Sequence, residues 1–272
     1  MKTYNALSKS FTDEVKIKMI EGSTIDDAFE DVKTAIIDYN FGEPTPTPKP
    51  IDVNELTQGD GQQDGYYYVD LGLSVKWATC NVGSVLASDE GKLFQFGRVD
   101  GYIYGDKNNQ FKTHSQNKQD TGNEFIPKTT SGKVYKAGDI LELEDDAAHA
   151  NMGGKWRMPT KDELEELYNN TTHKVETINE VHGVMLTSNI NGCQLFIPFG
   201  GYWNNLNDSF NYIRFVANIW SSQVYKDNKG IYVLYCSSSG LAYIGLNYRS
   251  TAFLVRGVFN PNDNKDNINM LI

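Results

Sequence analysis

The stretch that most constrains this chain is Gly153-Gly154-Lys155-Trp156-Arg157-Met158-Pro159-Thr160-Lys161-Asp162-Glu163-Leu164-Glu165-Glu166-Leu167. Thr160 followed three residues later by Glu163 is a capping box: the hydroxyl accepts from the Glu163 N–H, and the carboxylate reaches back to the N–H of the cap. Asp162 and Glu163 suit the positive end of the helix dipole. Leu164, Leu167 and Tyr168 then give the helix one apolar face. Pro159 keeps the entry extended, and the glycine pair lets the backbone turn tightly into Trp156. The stretch predicts loop, short strand and capped helix, and it carries no chemistry.

Elsewhere the apolar pattern is that of short strands. Tyr66 to Ala78 reads as strands around the Leu71-Gly72-Leu73 turn, and Leu93 to Arg98 as another. Residues 184–187 and 194–203, Ile231 to Cys236, Leu241 to Leu246 and Ala252 to Phe259 follow. Short strands at hairpin spacing around one firm helix predict an α+β fold. Residues 51–65 are polar and read as loop, and the Lys/Asn/Gln-rich 104–139 segment reads as a long insertion or lid.

The N-terminal end is different. Val15, Ile17 and Met19 alternate with Lys16 and Lys18 as a short strand, and Thr24 caps a helix reaching about Tyr39. Its apolar residues Ile25, Phe29, Val32, Ile36 and Tyr39 are spaced 4, 3, 4, 3, a two-heptad seam that must bury against something. Packing within its own module and self-association around a symmetry axis both satisfy that need. Alternating prolines from Pro44 to Pro50 then hold an extended spacer. The predicted plan is an anchoring and oligomerisation module over 1–43, a linker over 44–65, the main domain over 66–260 and a tail over 261–272.

Three blocks occur in order. They are Tyr67-Tyr68-Val69-Asp70-Leu71-Gly72-Leu73-Ser74-Val75-Lys76-Trp77-Ala78-Thr79-Cys80-Asn81-Val82-Gly83, then Ala147 to Met152 leading into Trp156 to Thr160, and finally Ile219-Trp220-Ser221-Ser222 with Val255-Arg256-Gly257-Val258. Together they resemble the C-type-lectin-like domains of Bacteroides proteins and their phages, related to the Fibrobacter major paralogous domain, over roughly residues 66–259. The resemblance implies a C-type-lectin-like main domain. Such a fold does not fix function.

Composition excludes several classes. A net charge of −10 leaves no basic footprint for a nucleic-acid backbone. The three cysteines, Cys80, Cys193 and Cys236, are far apart and odd in number, which argues for free thiols over a disulfide scaffold or a zinc site. Met1 to Lys9 lacks the apolar core of a signal peptide, and there is no apolar run of about 18 residues for membrane insertion. The expectation is a protein made in the cytosol that stays there or leaves within a particle.

No HExxH, nucleophile elbow, P-loop or dinucleotide fingerprint is present among the motifs. The four histidines show no paired spacing, and His149 reads as structural. The run Glu142, Glu144, Asp145, Asp146 has calcium-compatible chemistry, but the EF-hand pattern and the calcium-site triplets of sugar-binding lectins are missing. It reads as a solvated acidic loop. No catalytic residue, metal or cofactor is predicted; a formylglycine-generating type of enzyme, which shares the lectin-like fold, would need a reactive cysteine pair in a context not found here.

Residues 218–250 instead are rich in Tyr, Ser, Asn and Gly, the palette of adaptable binding surfaces. In the relatives that the resemblance points to, this segment corresponds to the variable region of retroelement-diversified proteins. The ligand-binding residues expected here are Gln223, Tyr225, Tyr235, Tyr243, Asn247 and Tyr248; ordinary sheet tyrosines without a ligand are the plainer alternative. The resemblance and the modular plan give a virion protein. In that reading it is a phage head or tail fibre or decoration, with host attachment through carbohydrate binding. It is preferably a homotrimer, fixed to capsid or tail proteins by the N-terminal module. A bacterial lectin-like module for glycan or peptide is the second reading.

Overall fold

A computed structural model describes residues 52–262. The seam residues Ile25, Phe29, Val32, Ile36 and Tyr39, and the prolines Pro44 to Pro50, lie outside the described residues. Among those described, fourteen strands and four α-helices make a mixed fold dominated by β-sheet.

Helix α1 (Val53–Gln58) is started by Asp52, whose carboxylate accepts from Asn54 N at 2.8 Å. It ends at Gly59 with φ 52°, where a Cβ would meet the Tyr68 carbonyl oxygen. Strands β1 (Gly61–Gln63) and β2 (Tyr66–Val69) then form a hairpin over Asp64-Gly65, both at positive φ as a tight two-residue turn requires. Residues expected to be loop are therefore ordered by a cap and a turn. β2 pairs with β3 (Lys76–Asn81), and β3 with the last strand, β14 (Arg256–Phe259), so the two ends of the domain share one sheet in the order β1-β2-β3-β14.

Helix α2 (His114–Thr121), α3 (Ala147–Met152) and α4 (Lys161–Asn169) follow. The insertion at 104–139 is not a featureless lid. Thr113 and Gln116 form a capping box on α2, and Phe111, Asn117 and Tyr135 are buried. Its helix carries no apolar stripe, so periodicity gave no sign of it; Asn117 holds it by donating to the carbonyls of Lys112 and Glu124.

α4 begins as its capping box predicts, with Thr160 N donating to Glu163 at 2.7 Å and Glu163 N to Thr160 at 3.3 Å. Arg157 adds a two-pronged bond to the Glu163 carboxylate at 2.8 and 2.6 Å. Burial alone would raise the Glu163 carboxyl; Arg157 together with the Thr160 donors more than offsets it and holds the group below its ordinary value. After α4, strands β5 (Thr171–Ile178), β6 (Val181–Ser188) and β7 (Gln194–Pro198) form a three-stranded sheet.

The largest sheet has seven strands. They are β4 (Leu93–Gln95), β8 (Tyr202–Asn204), β9 (Ser209–Asn211), β10 (Val216–Val224), β11 (Gly230–Ser237), β12 (Ala242–Tyr248) and β13 (Ala252–Leu254). Its order is β12-β11-β10-β13-β8-β9, with β4 also on β13, and only β10 and β13 run parallel. Alternation along each strand separates two cores. Ile219, Leu234 and Leu254 join Trp77, Leu164, Leu167 and Trp203 on one side; Trp220, Val233 and Phe253 join Phe94, Phe96, Trp156 and Phe259 on the other. Ser222 N donates to the Pro159 carbonyl at 2.7 Å, and Arg157 and Val258 exchange main-chain bonds, so the central stretch is stitched to both sheets.

Arg256 is wholly buried without a carboxylate. Its Nε donates to Asn81 at 2.9 Å and its Nη atoms to the carbonyls of Ala78 and Phe196 at 3.0 Å each, tying the four-stranded sheet to the three-stranded one.

Candidate ligand cleft on the seven-stranded sheet

Register builds the cleft. Asn218 on β10 lies opposite Tyr235 on β11, which lies opposite Tyr243 on β12. The next rows toward the hairpin are Trp220, Val233 and Gly245, and then Ile231 with Asn247. With a period of two, all these side chains share one sheet face. From β8, across the sheet, Tyr202 meets Phe253 edge-on at 5.5 Å, and Tyr212 stacks on Tyr202 at 5.8 Å. Trp220 and Phe253 fill the middle of the face, with the Trp220 indole donating to the Phe94 carbonyl at 2.8 Å.

What remains open is a cleft of about 150 Å³ bounded by Tyr202, Asn218, Val233, Tyr235, Tyr243, Gly245, Leu246, Asn247 and Phe253. Tyr235 and Tyr243 lie 4.9 Å apart at 31° and form one wall, with Tyr202 in the other. Gly245 makes room: a Cβ there would stand 2.8 Å from the Tyr243 ring. At the base, Asn218 is only 3% exposed as a residue; no described residue bonds its side-chain amide, whose polar atoms open into the cleft. No charged side chain lines the cleft, and burial lifts the Tyr202 phenol above its ordinary value, so the lining is neutral at neutral pH.

The residues expected from the sequence fall in three places. Tyr235, Tyr243 and Asn247 line the cleft. Tyr248 instead packs on Phe125 at 4.4 Å and, with Asn247, Asp227, Gly230 and Leu246, borders a shallower depression of about 330 Å³. Gln223 and Tyr225 stand at the β10–β11 hairpin, where Gln223 donates to the Gly138 carbonyl at 3.4 Å and Tyr225 meets Tyr232 edge-on at 5.4 Å. Tyr202, Asn218 and Phe253 were missed. A signal existed for Asn218, the one amide in the apolar run Val216-Ala217-Asn218-Ile219-Trp220.

The acidic run is not a solvated loop throughout. Asp145 and Asp146 are buried. Asp145 accepts from Ser131 and Tyr135, while Asp146 caps α3 through His149 N and accepts from Met158 N, both near 2.8–2.9 Å. These carboxylates are engaged by main-chain N–H groups and, at Asp145, by the Ser131 and Tyr135 hydroxyls, and among the described residues no group of His, Cys, Asp and Glu is arranged to hold a metal. His149 Nδ1 donates to the Trp156 carbonyl, 3.1 Å away. Cys80 and Cys236 are buried free thiols and Cys193 is half-buried; burial pushes the Cys236 thiol up to about 12.

No family model matches this chain, and neither a curated protein nor a solved structure is significantly similar to it. Among the described residues, no helix is long and apolar enough to cross a membrane. The fold and cleft together define a mostly β domain with a neutral, aromatic-walled recess at one end of its largest sheet.

Proposed function

We propose that this chain is a binding module of C-type-lectin-like fold whose ligand is a glycan held in the cleft between Tyr202 and the Tyr235–Tyr243 pair. One observation carries this reading: an aromatic-walled recess with the side-chain amide of Asn218, bonded by no described residue, open at its base. Aromatic faces stack on the apolar faces of sugar rings, and an amide both donates to and accepts from hydroxyls. The lining carries no charge, so a neutral sugar is favoured over an acidic one. Pairing of β14 with β3, which brings the domain's ends together, is consistent with a lectin-like scaffold.

The same reading places the module on a virion, as a head or tail fibre or decoration for host attachment, held by residues 1–43. That part rests on the sequence resemblance and on the proline-spaced plan. Self-association through the Ile25–Tyr39 seam rests on the heptad spacing, and the preference for a trimer on the virion-appendage reading. Cys236 is no candidate nucleophile: a nucleophilic cysteine acts as the thiolate, and burial holds the Cys236 thiol in its protonated form at neutral pH.

The test is binding of the full chain to host-type bacterial cells and to arrayed neutral glycans, with Tyr235→Ala and Tyr243→Ala combined. The expected outcome is a folded protein with at least about ten-fold weaker binding, the loss of roughly 1.4 kcal/mol. Parental affinity in that folded variant would move the site elsewhere, first to the Tyr248–Phe125 depression.

A further inference from the structure

Among the described residues, the outer edge of β12 differs from the edges formed by β1, β9 and β5. β1 and β9 end their sheets with three residues each. The eight-residue edge strand β5 carries His173 and a Lys174–Glu176 ion pair at 2.6 Å. Such short or charged edges resist pairing with a foreign strand. β12 reads Ala242-Tyr243-Ile244-Gly245-Leu246-Asn247-Tyr248, seven residues with neither a charge nor a proline in a chain of net charge −10. Its side chains are also open: Tyr243, Leu246 and Tyr248 are each between 44 and 47% exposed.

The ladder fixes which main-chain groups are free. Ser237 N donates to the Leu241 carbonyl at 2.9 Å and Arg249 N to the Lys229 carbonyl at 3.2 Å. Antiparallel alternation then turns Leu241, Tyr243, Gly245, Asn247 and Arg249 toward β11. Ala242, Ile244, Leu246 and Tyr248 therefore present N–H and C=O groups outward. The Tyr248 N–H is engaged by the Asn247 side chain at 2.9 Å, while no described residue bonds the outward groups of Ala242, Ile244 or Leu246.

We infer that β12 pairs antiparallel with β12 of a second copy of this chain, about a two-fold axis at Gly245. In that register Ile244 faces the second copy's Leu246, and Ala242 faces its Tyr248, so every outward-turned residue meets another outward-turned residue. The contact is isologous: each pair occurs twice, apolar against apolar, with no like charges brought together. Gly245 falls at a close, non-hydrogen-bonded position where main chains approach to about 4.5 Å, and its missing side chain keeps the axis clear. Tyr243 falls opposite the second copy's Asn247. The second copy thereby adds an amide to the lip of each cleft, and the two clefts become one continuous groove across a joined sheet. This last consequence rests on the proposed ligand site; the pairing itself does not.

The experiment uses the full chain. Phe29→Asp with Ile36→Asp removes any association through the N-terminal seam, and Leu246→Lys is then added. Sedimentation of the seam variant should show a two-chain species, and adding Leu246→Lys should halve its mass while near-ultraviolet dichroism stays unchanged. Hydrogen exchange on the unsubstituted chain is the second measurement and needs no variant to fold. The Ile244 and Leu246 amides should exchange at least about ten-fold more slowly at high protein concentration than at low. A seam variant that sediments as a single chain, or Ile244 and Leu246 amides that exchange at one rate at all concentrations, overturns the pairing. The edge would then be left to a strand of a different partner. Glycan binding is not read in either measurement, so loss of the cleft reading would leave this result standing.

Discussion

The neighbourhood of Trp156 and the neighbourhood of Tyr243 are both aromatic, yet they are built for different purposes. Trp156 is wholly buried, its indole donates to the Gln63 carbonyl at 2.8 Å, and its ring meets Tyr66 and Phe259 edge-on. Around it Asp146, His149, Arg157 and Glu163 all have partners. Tyr243 is 44% exposed, beside an amide and outward main-chain groups of an edge strand that no described residue bonds. Saturated bonding makes the first region scaffold. Unsatisfied bonding on a rigid sheet makes the second a place where something else is expected to bind.

The comparison breaks most visibly at Trp156. Trp156→Ala is expected to lower stability by about 3–5 kcal/mol, measured as a fall in the urea midpoint, because it opens a cavity and strands the Gln63 carbonyl. A folded protein of near-parental midpoint that had lost ligand binding would exchange the roles of the two regions.

A pH titration tests the same scaffold at Asp146. Burial raises its carboxyl from 3.8 to about 6, and main-chain donors only partly offset this. The folded state therefore holds this proton more tightly than the unfolded chain does. The resulting stabilisation is full below about pH 4 and is lost as pH rises through about 6, a change of the order of 3 kcal/mol. Asp146→Asn should flatten that slope in urea unfolding between pH 4 and 7, whatever it does to the absolute level. An unaltered slope would mean that another group titrates there.

Within the cleft, Asn218→Ala is expected to weaken glycan binding by about ten-fold with stability changed by less than about 1 kcal/mol, since the amide has no protein partner to lose. Calorimetric titration and thermal melting separate the two effects. A large stability loss with unchanged affinity would make Asn218 scaffold. The smallest expected effect is that of a chelator: with no carboxylate, imidazole or thiol in the lining, binding should be the same with and without it, and a drop would require a cation held by neutral oxygens alone.

Legibility from sequence followed the range of the forces involved. The Thr160–Glu163 box and the apolar face Leu164–Leu167 are visible because all the groups concerned lie within a few residues. The order of α1 was missed because a single Asp52 cap and a Gly59 stop leave little trace in a polar stretch. Helix α2 was missed because Asn117, not an apolar stripe, secures it. Asp145 and Asp146 looked solvated because nothing local reveals that Ser131, Tyr135 and Met158 come to meet them. Of the tyrosine-rich segment, Tyr235, Tyr243 and Asn247 line the cleft, whereas Gln223, Tyr225 and Tyr248, near them along the chain, lie outside it because strand register and not sequence proximity sets neighbours.

What the sequence determined by itself was thus the set of local devices: the α4 cap and the α+β character of alternating short strands around it. The tertiary structure alone decided which tyrosines share a recess and what lies beneath them. Asn218, Tyr235 and Tyr243 become neighbours through the register of three strands, and Tyr202 joins them from a fourth across β13. A slip of one residue would send each of those side chains to the opposite face, because the side-chain period of a strand is two while nothing within one strand specifies its partner's alignment.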